Sequence, residues 1–282
     1  MLIIAKTNEK LIKFLIHNVQ GLSFASAQKL LRKGDIKVNG KRVKQNIDIT
    51  PLDQVEIYMP KASMPTVPII YEDDNILIIN KPAGIECATR DKSSSNTFSL
   101  EEIFKDKNAI VVHRLDRLTE GLVILAKITD VAREFEKIFR QKQVKKTYIT
   151  AVTGNFDKTG IQKAYLFKNA NKALVDISDT EKEGYKEIVT EFEIIQKLKD
   201  VSILKVTLHT GRTHQIRAHC NYLGHPIIND TKYNRQTITI DKYKGYFLTA
   251  YKLDFDLSGN MSYLNDVHLQ ISPSWTKYLE EK

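Results

Sequence analysis

His113-Arg114-Leu115-Asp116-Arg117-Leu118-Thr119-Glu120-Gly121-Leu122-Val123-Ile124-Leu125-Ala126-Lys127 is the most informative stretch of this 282-residue chain. Its tail, Leu122 to Ala126, reads by composition as a buried strand. An aspartate in a polar loop just before such a strand is held rigidly at a pocket mouth. If His113 to Asp116 is extended, Arg114 and Asp116 point the same way, because side chains alternate. One ligand would then meet a guanidinium and a carboxylate together. The competing reading is a turn aspartate bonded to its own backbone.

Around this stretch strands dominate. Ile69 to Tyr71 and Ile76 to Asn80 read as short strands joined by a turn at residues 72–75, and residues 91–97 as a polar loop. Thr129 to Arg140 has helical period through Val131, Phe135, Ile138 and Phe139. Lys146 to Val152, Glu187 to Ile195 and Val201 to Leu208 alternate like strands, and His214 to Tyr222 reads as helical with Thr213 as its cap. The region from 69 to 282 is expected to be one mixed α+β domain with a largely antiparallel sheet. The part after Arg235 carries little functional signal.

A break is expected at residues 61–68, where the run from Pro60 to Pro68 has three prolines and reads as a linker. Before it, Leu11, Phe14, Leu15 and Val19 fall at helical spacing. Ser23 suits the N-cap of a second helix with Ala27, Leu30 and Leu31 as its apolar stripe, and Gly34 suits the left-handed end. Asn39-Gly40 marks a hairpin, and Gln54 to Tyr58 closes as a strand. Residues 1–60 therefore form a small helix–helix–hairpin domain.

The net charge is +9, and residues 1–60 hold ten Lys/Arg against five Asp/Glu. Lys29, Arg32, Lys33, Lys37, Lys41, Arg42 and Lys44 crowd the helix–hairpin turn, opposed only by Asp35. Cations so spaced repel one another without a counter-charge, which points to a polyanion such as RNA. The longest apolar runs are too short to span a bilayer, no secretory segment opens the chain, and a cytoplasmic protein is the default. Two cysteines, Cys87 and Cys220, are too few for a disulfide framework and read as reduced thiols.

A second polar cluster is Thr210-Gly211-Arg212-Thr213-His214-Gln215-Ile216-Arg217-Ala218-His219, followed by Leu223-Gly224-His225-Pro226-Ile227. Four histidines close in sequence raise the question of a metal. His-x-x-x-x-His places its members about 140° apart on a helix, unlike the i, i+4 pair of a zinc site, and no Cys pair or Glu completes a set. No metal and no cofactor are expected; a P-loop and a dinucleotide fingerprint are both missing. Tyr148, in Lys145-Lys146-Thr147-Tyr148, reads either as core or as a stacking surface for a base.

Residues 113–127 resemble the His-Arg-Leu-Asp…Thr-x-Gly-Leu…Ala-Lys motif of RluA-type pseudouridine synthases. Residues 210–226 resemble that family's Gly-Arg-Thr-His-Gln-Ile-Arg…Leu-Gly-His-Pro motif. Asn80-Lys81-Pro82-Ala83-Gly84 and Lys146-Thr147-Tyr148 resemble two more, and all four stand in the family's order over about residues 69–255. Residues 8–59 resemble an alpha-L RNA-binding domain, as in the RluC and RluD branches. The chain departs from the pattern at Glu120, where Ser is usual, at Ile85 to Thr89, which lack a His-Pro pair, and at Asn229, where Gly is usual. Glu120 would put an extra anion beside the aspartate loop.

The resemblance implies an enzyme that isomerises uridine in RNA to its C-glycoside, with Asp116 as the reacting carboxylate. It implies Arg217 as the cation beside Asp116, and Tyr148 stacking on the base and helping to remove the C5 proton. Arg114 would fill the gap left by a flipped nucleotide, Ile216 would floor the pocket, and Arg212, His214 and Gln215 would complete substrate binding. Lys29, Arg32, Lys33, Lys37, Lys41 and Arg42 would supply phosphate affinity. Structured large-subunit ribosomal RNA is the expected substrate, with transfer RNA second; a non-catalytic ribosome-assembly factor is the alternative of another class. A monomer is expected.

Overall fold

The computed structural model of the chain describes residues 1–19, 22, 24–58, 64–88, 98–169 and 174–279. The expected cap at Ser23, residues 59–63 of the proline-rich stretch and the polar loop at 91–97 lie outside them. The chain divides into two compact units, the first Met1–Pro65 with Thr89–Phe98, the second Thr66–Ala88 with Ser99–Lys282. Val67 is already buried in the second unit's core. Among the described residues no helix is long and apolar enough to cross a membrane.

In the first unit, strand β1 (Leu2–Ile4), β2 (Glu9–Lys10), helix α1 (Leu11–Asn18), helix α2 (Phe24–Lys33), β3 (Ile36–Val38), β4 (Lys41–Arg42), β5 (Asp48–Ile49) and β6 (Gln54–Ile57) follow in order. β1, β6, β3 and β4 form one sheet in that order. Leu11, Phe14, Leu15, Ala27, Leu31, Ile36, Val55 and Ile57 fill its core, the helical spacing giving the side toward the sheet. α2 ends in a Schellman pair: Gly34 N–H donates to Leu31 O and Asp35 N–H to Leu30 O, with Gly34 at φ 72°. Asn39 and Gly40, at φ 49° and 77°, make the two-residue turn between Val38 and Lys41. Lys29, Arg32, Lys33, Lys41 and Arg42 are exposed, and Lys37 is half-buried over the Tyr58 ring.

In the second unit come β7 (Ile69–Glu72), β8 (Ile76–Lys81), α3 (Leu100–Ile103), β9 (Ile110–Val111), β10 (Glu120–Ala126), α4 (Thr129–Arg140), β11 (Val144–Thr153), β12 (Gly160–Asn169), β13 (Leu174–Ser178), β14 (Lys186–Lys197), β15 (Val201–Leu208), α5 (Gln215–Tyr222), β16 (Leu248–Phe255) and β17 (Leu269–Gln270). They build an eleven-stranded sheet ordered β13-β12-β14-β15-β11-β16-β10-β8-β7, with β17 beside β16 and β9 beside β10. Only the β10–β16 pairing is parallel among the described strands. This is the mixed, largely antiparallel α+β architecture expected.

β10 is buried along its whole length. Leu122 and Ile124 pack with Phe135 and Ile138 of α4, while Val123 and Leu125 pack in the other core with Leu77 and Ile79. Covered faces on both sides explain a run of five apolar residues without alternation. At its start Gly121 (φ 126°) lies so close to β16 that a Cβ would stand 2.4 Å from the Ala250 nitrogen. Only glycine allows that approach, and it fixes the loop before β10 against the end of the neighbouring strand.

Candidate active site

The loop ahead of β10 is pinned from several sides. Thr119 N–H donates to Asp116 O, Gly84 N–H to Arg117 O and Tyr246 N–H to Leu118 O, at 3.0, 2.7 and 2.9 Å. Lys81, fully buried, donates from Nζ to the carbonyls of Pro82, Ile85 and Arg117. Burial lowers its pKa to about 8, so the carbonyls meet an ammonium with no carboxylate in direct contact. Leu115 N–H donates to Cys87 Sγ. His113 completes the frame: its Nε2 accepts from Ile124 N–H at 2.9 Å, taking the place of a strand partner beyond the end of β9. Burial pushes its pKa down to about 3, so it stays neutral with its proton on Nδ1.

Held this way, Asp116 turns its carboxylate away from its own backbone. Its Oδ2 accepts from Arg217 Nη1 at 2.7 Å, and His214 Nε2 stands 3.6 Å from Oδ1. Arg217 is 2 % exposed and also donates from Nε and Nη2 to the two oxygens of Asp230, at 2.6 and 2.9 Å. Its Nη2 reaches the Tyr246 hydroxyl at 2.9 Å, and its guanidinium lies 4.1 Å from that ring's centre. Burial alone would favour loss of the proton; pairing with Asp230 and Asp116 outweighs it and raises the pKa further above its ordinary value.

The cluster around α5 differs from expectation in one respect. Thr213 does not cap the helix; His214 does, from a left-handed conformation at φ 54°. The Gln215 side chain holds the turn ahead of the helix, accepting from Arg212 N–H and the Thr210 hydroxyl and donating to Val189 O and Thr190 Oγ1. The strained turn places His214 between Tyr233, whose hydroxyl meets Nδ1 at 2.8 Å, and Asp116. Burial lowers the His214 pKa to about 4.

Tyr148 sits where β11 slips register against β16, between Thr147 and Tyr148, and such a bulge re-aims a side chain. It is buried, and burial followed by the nearby Asp116 carboxylate drives its pKa far above the ordinary phenol range.

One cavity of about 80 Å³ gathers these groups: Arg114, Asp116, Tyr148, Arg212, His214, Gln215, Ile216 and Arg217 line it, with Leu115, Thr119, Leu208 and Leu248. All eight residues singled out in the catalytic region thus meet in one place. The Thr119 hydroxyl, in the same wall, is the one buried side-chain polar atom among the described residues without a hydrogen-bond partner.

Other expectations need correction or supplement. Glu120 stands beside the aspartate loop as expected but does not line the cavity: buried, it accepts from Tyr243 Oη, Thr249 Oγ1 and both Ser274 N–H and Oγ, tying the strand to the C-terminal segment. Asn229 occupies the left-handed region at φ 67°, which explains why glycine is usual there, and its amide bonds the carbonyls of Ile240, Tyr243 and Gly245. Asp230 and Tyr246, both on Arg217, were not anticipated. The histidines separate: His209 meets Glu191, His219 meets Thr190 and His225 meets the Thr153 carbonyl. Among the described residues no three His, Cys, Asp or Glu form a possible metal cluster.

A pinned loop carboxylate, a buried arginine and an aromatic ring thus share one small cavity, a candidate enzyme site. The family model of RNA pseudouridylate synthases matches residues 75–222. Ribosomal large subunit pseudouridine synthase C of Vibrio cholerae is 30% identical over 261 residues, 85% of this chain and 80% of its own. An uncharacterized RNA pseudouridine synthase of Mycoplasma capricolum is 32% identical over 293 residues, 95% of both chains. Among solved structures, human RNA pseudouridylate synthase domain containing 4 superposes with a TM-score of 0.59 at 19% identity, covering 73% of this chain and 88% of that one, a likeness of fold. The chain belongs to the RNA pseudouridylate synthase family, in its RluA branch, and is an isomerase.

Proposed function

We propose that this enzyme converts uridines of structured large-subunit ribosomal RNA to pseudouridine, with Asp116 as the reacting carboxylate. The observation that carries the reading is the placement of Asp116: Oδ2 is held by Arg217 at 2.7 Å, and the carboxylate lines the cavity that Tyr148 shares. The reaction breaks the bond between N1 and the ribose, turns the uracil, joins C5 to the sugar and moves one hydrogen from C5 to N1. Nothing is added or removed overall, so no co-reactant is needed. The carboxylate either adds to the anomeric carbon or takes a proton from its neighbour; both routes ask for an ionised group.

Arg217 anchors that group through Nη1 on Oδ2. Tyr148 stacks on the uracil, Ile216 floors the pocket, and the unmet Thr119 hydroxyl offers the base a hydrogen bond. Arg114, exposed at the rim, fills the gap left when the target leaves its stack. Arg212 and His214 bind the nucleotide, and Gln215 acts by holding the turn that carries them. In the first unit none of the ion pairs among the described residues uses Lys29, Arg32, Lys33, Lys37, Lys41 or Arg42, leaving those cations for phosphate. The ribosomal assignment draws on the names of the curated relatives.

The test is Asp116→Asn on ribosomal RNA transcripts, with pseudouridine mapped by site. A loss of at least ~1,000-fold in the single-turnover rate, about 4 kcal/mol of barrier, is expected with RNA affinity changed only a few-fold. Near-normal turnover would remove Asp116 from the chemistry. Modification of transfer RNA alone would shift the substrate, and binding without modification by the unsubstituted enzyme would favour an assembly factor.

A further inference from the structure

The cavity at Asp116 is continuous with more of the surface. Four of its lining residues, Arg114, Tyr148, Leu208 and Arg212, also line a groove of about 820 Å³. The groove runs between the end of α4, the start of β11 and the segment following β15. Its charged lining is Arg114, Arg140, Lys142, Lys145, Lys146 and Arg212, with no Asp or Glu. None of these six takes part in an ion pair among the described residues; His209, also in the wall, is met by Glu191.

Lys146 is the most telling of the six. Half-buried, its ammonium lies 5.1 Å from the centre of the Phe139 ring, and burial lowers its pKa. A desolvated cation without a carboxylate is costly unless an anion comes to it. Across the site, Arg212 also lines a cleft of about 260 Å³ with Lys168 and Lys186, again without an acidic residue. Arg212 therefore stands where three cavities meet.

We infer that the large groove is a binding site for unpaired RNA, holding the nucleotides on one side of the target uridine. Phosphates lie on Arg140, Lys142, Lys145 and Lys146, and Arg212 marks the point where the strand turns from groove to pocket. The inference rests on the functional reading above, since a nucleotide in the cavity brings its neighbours onto the surface that shares the cavity's wall. Paired RNA is recognised by shape across its shallow groove. Here the rings of His113, Phe139 and Tyr148 stand among the cations, the combination of stacking faces and charge that suits a single strand.

The experiment compares Arg140→Gln/Lys142→Gln/Lys145→Gln with the control Lys163→Gln/Lys197→Gln/Lys199→Gln, all six positions being exposed. A fluorescein-labelled twelve-nucleotide oligouridylate is titrated from low to high salt. Each lost phosphate contact on a single strand lowers the log–log slope by about 0.7, so the groove variant should fall by about 2 and the control by less than half as much. On a transcript that the enzyme modifies, KM should rise at least tenfold in the groove variant, with kcat within a few-fold. Equal slopes for the two variants would overturn the groove, as would a larger change on a fully paired hairpin than on the oligouridylate. Pseudouridine formation by the unsubstituted enzyme is scored separately: a groove-dependent slope without modification sinks the functional reading and leaves the groove standing.

Discussion

Replacing Arg217 by alanine should damage the fold, not just the chemistry. Arg217 is 2 % exposed and Asp230 1 %, and two of its hydrogen bonds go to that one carboxylate. The truncation leaves Asp230 buried without its cation and also frees Asp116 and the Tyr246 hydroxyl. Removing one partner of a buried pair costs ~3–5 kcal/mol, because the remaining charge is uncompensated. In a unit of this size ~2–4 °C of melting temperature goes with each kcal/mol, so a fall of about 10 °C is expected. Asp116→Asn should move stability by about 1 kcal/mol at most, since Asp116 is part-exposed and Arg217 keeps Asp230. Urea and thermal unfolding of both variants would separate the cases. Arg217→Met/Asp230→Leu, which removes both charges, should recover part of the loss. If Arg217→Ala melts within 2 °C of the unsubstituted protein, or if the double variant is no better than the single, the buried charge is not what the pair controls.

Tyr148→Phe keeps the ring, so RNA binding and the first bond cleavage should survive while a later step slows if the hydroxyl assists C5 deprotonation; Tyr148→Ala should also lose stacking worth ~1–3 kcal/mol. Quench-flow separation of the two steps decides, and a Tyr148→Phe enzyme unchanged in every step would leave the hydroxyl idle. Stability should also depend on pH through His113, His214 and His219, whose folded pKa values burial lowers from an ordinary 6.5 to about 3, 4 and 4. Between those values the unfolded chain takes up protons that the folded one refuses, so stability is full above about pH 6.5 and falls on acidification. The slope should reach about 4 kcal/mol per unit for the three together. Urea midpoints that stay constant from pH 4.5 to 7 would show that these histidines do not resist protonation.

What could be read in the sequence was local. The apolar run at Leu122–Ala126 announces a doubly covered strand, and Asn39-Gly40 and Gly34 announce their turn and cap because left-handed backbone is written in residue type. Arg114, Asp116 and Tyr148 could be singled out from their own surroundings, but that the eight residues meet was legible only from motifs in a family's order, since no periodicity brings position 116 to 217. What was missed lies in contacts across the chain. Tyr246 bonds the backbone of Leu118 and the side chain of Arg217 from a segment with no local signal. Glu120 reads only as an anion beside the aspartate loop; that Tyr243, Thr249 and Ser274 take up its oxygens is not in the sequence. The left-handed His214 defeats a simple capping rule: it takes the N-cap position in place of Thr213, and Gln215 ties the turn ahead of it to Arg212 N–H and β14.

Asp230 also bears on how the proposed chemistry is built. With Arg217 and Asp116 alone, a forked guanidinium would bind both carboxylate oxygens, and the reacting group would be tied at each end. Asp230 instead occupies the Nε–Nη2 edge, leaving only Nη1 for Asp116 Oδ2. The three charges sum to minus one, so the cation is already balanced before Asp116 is counted. Asp116 is thus anchored through one oxygen while Oδ1 stands 3.6 Å from His214 Nε2, beyond a hydrogen bond. That asymmetry suits a carboxylate that must remain ionised and still present one free oxygen to the ribose. It also means that orienting Asp116 and stabilising the fold are done by the same arginine through different edges. A substitution restoring charge without the planar fork, Arg217→Lys, should therefore recover stability and rate to different extents.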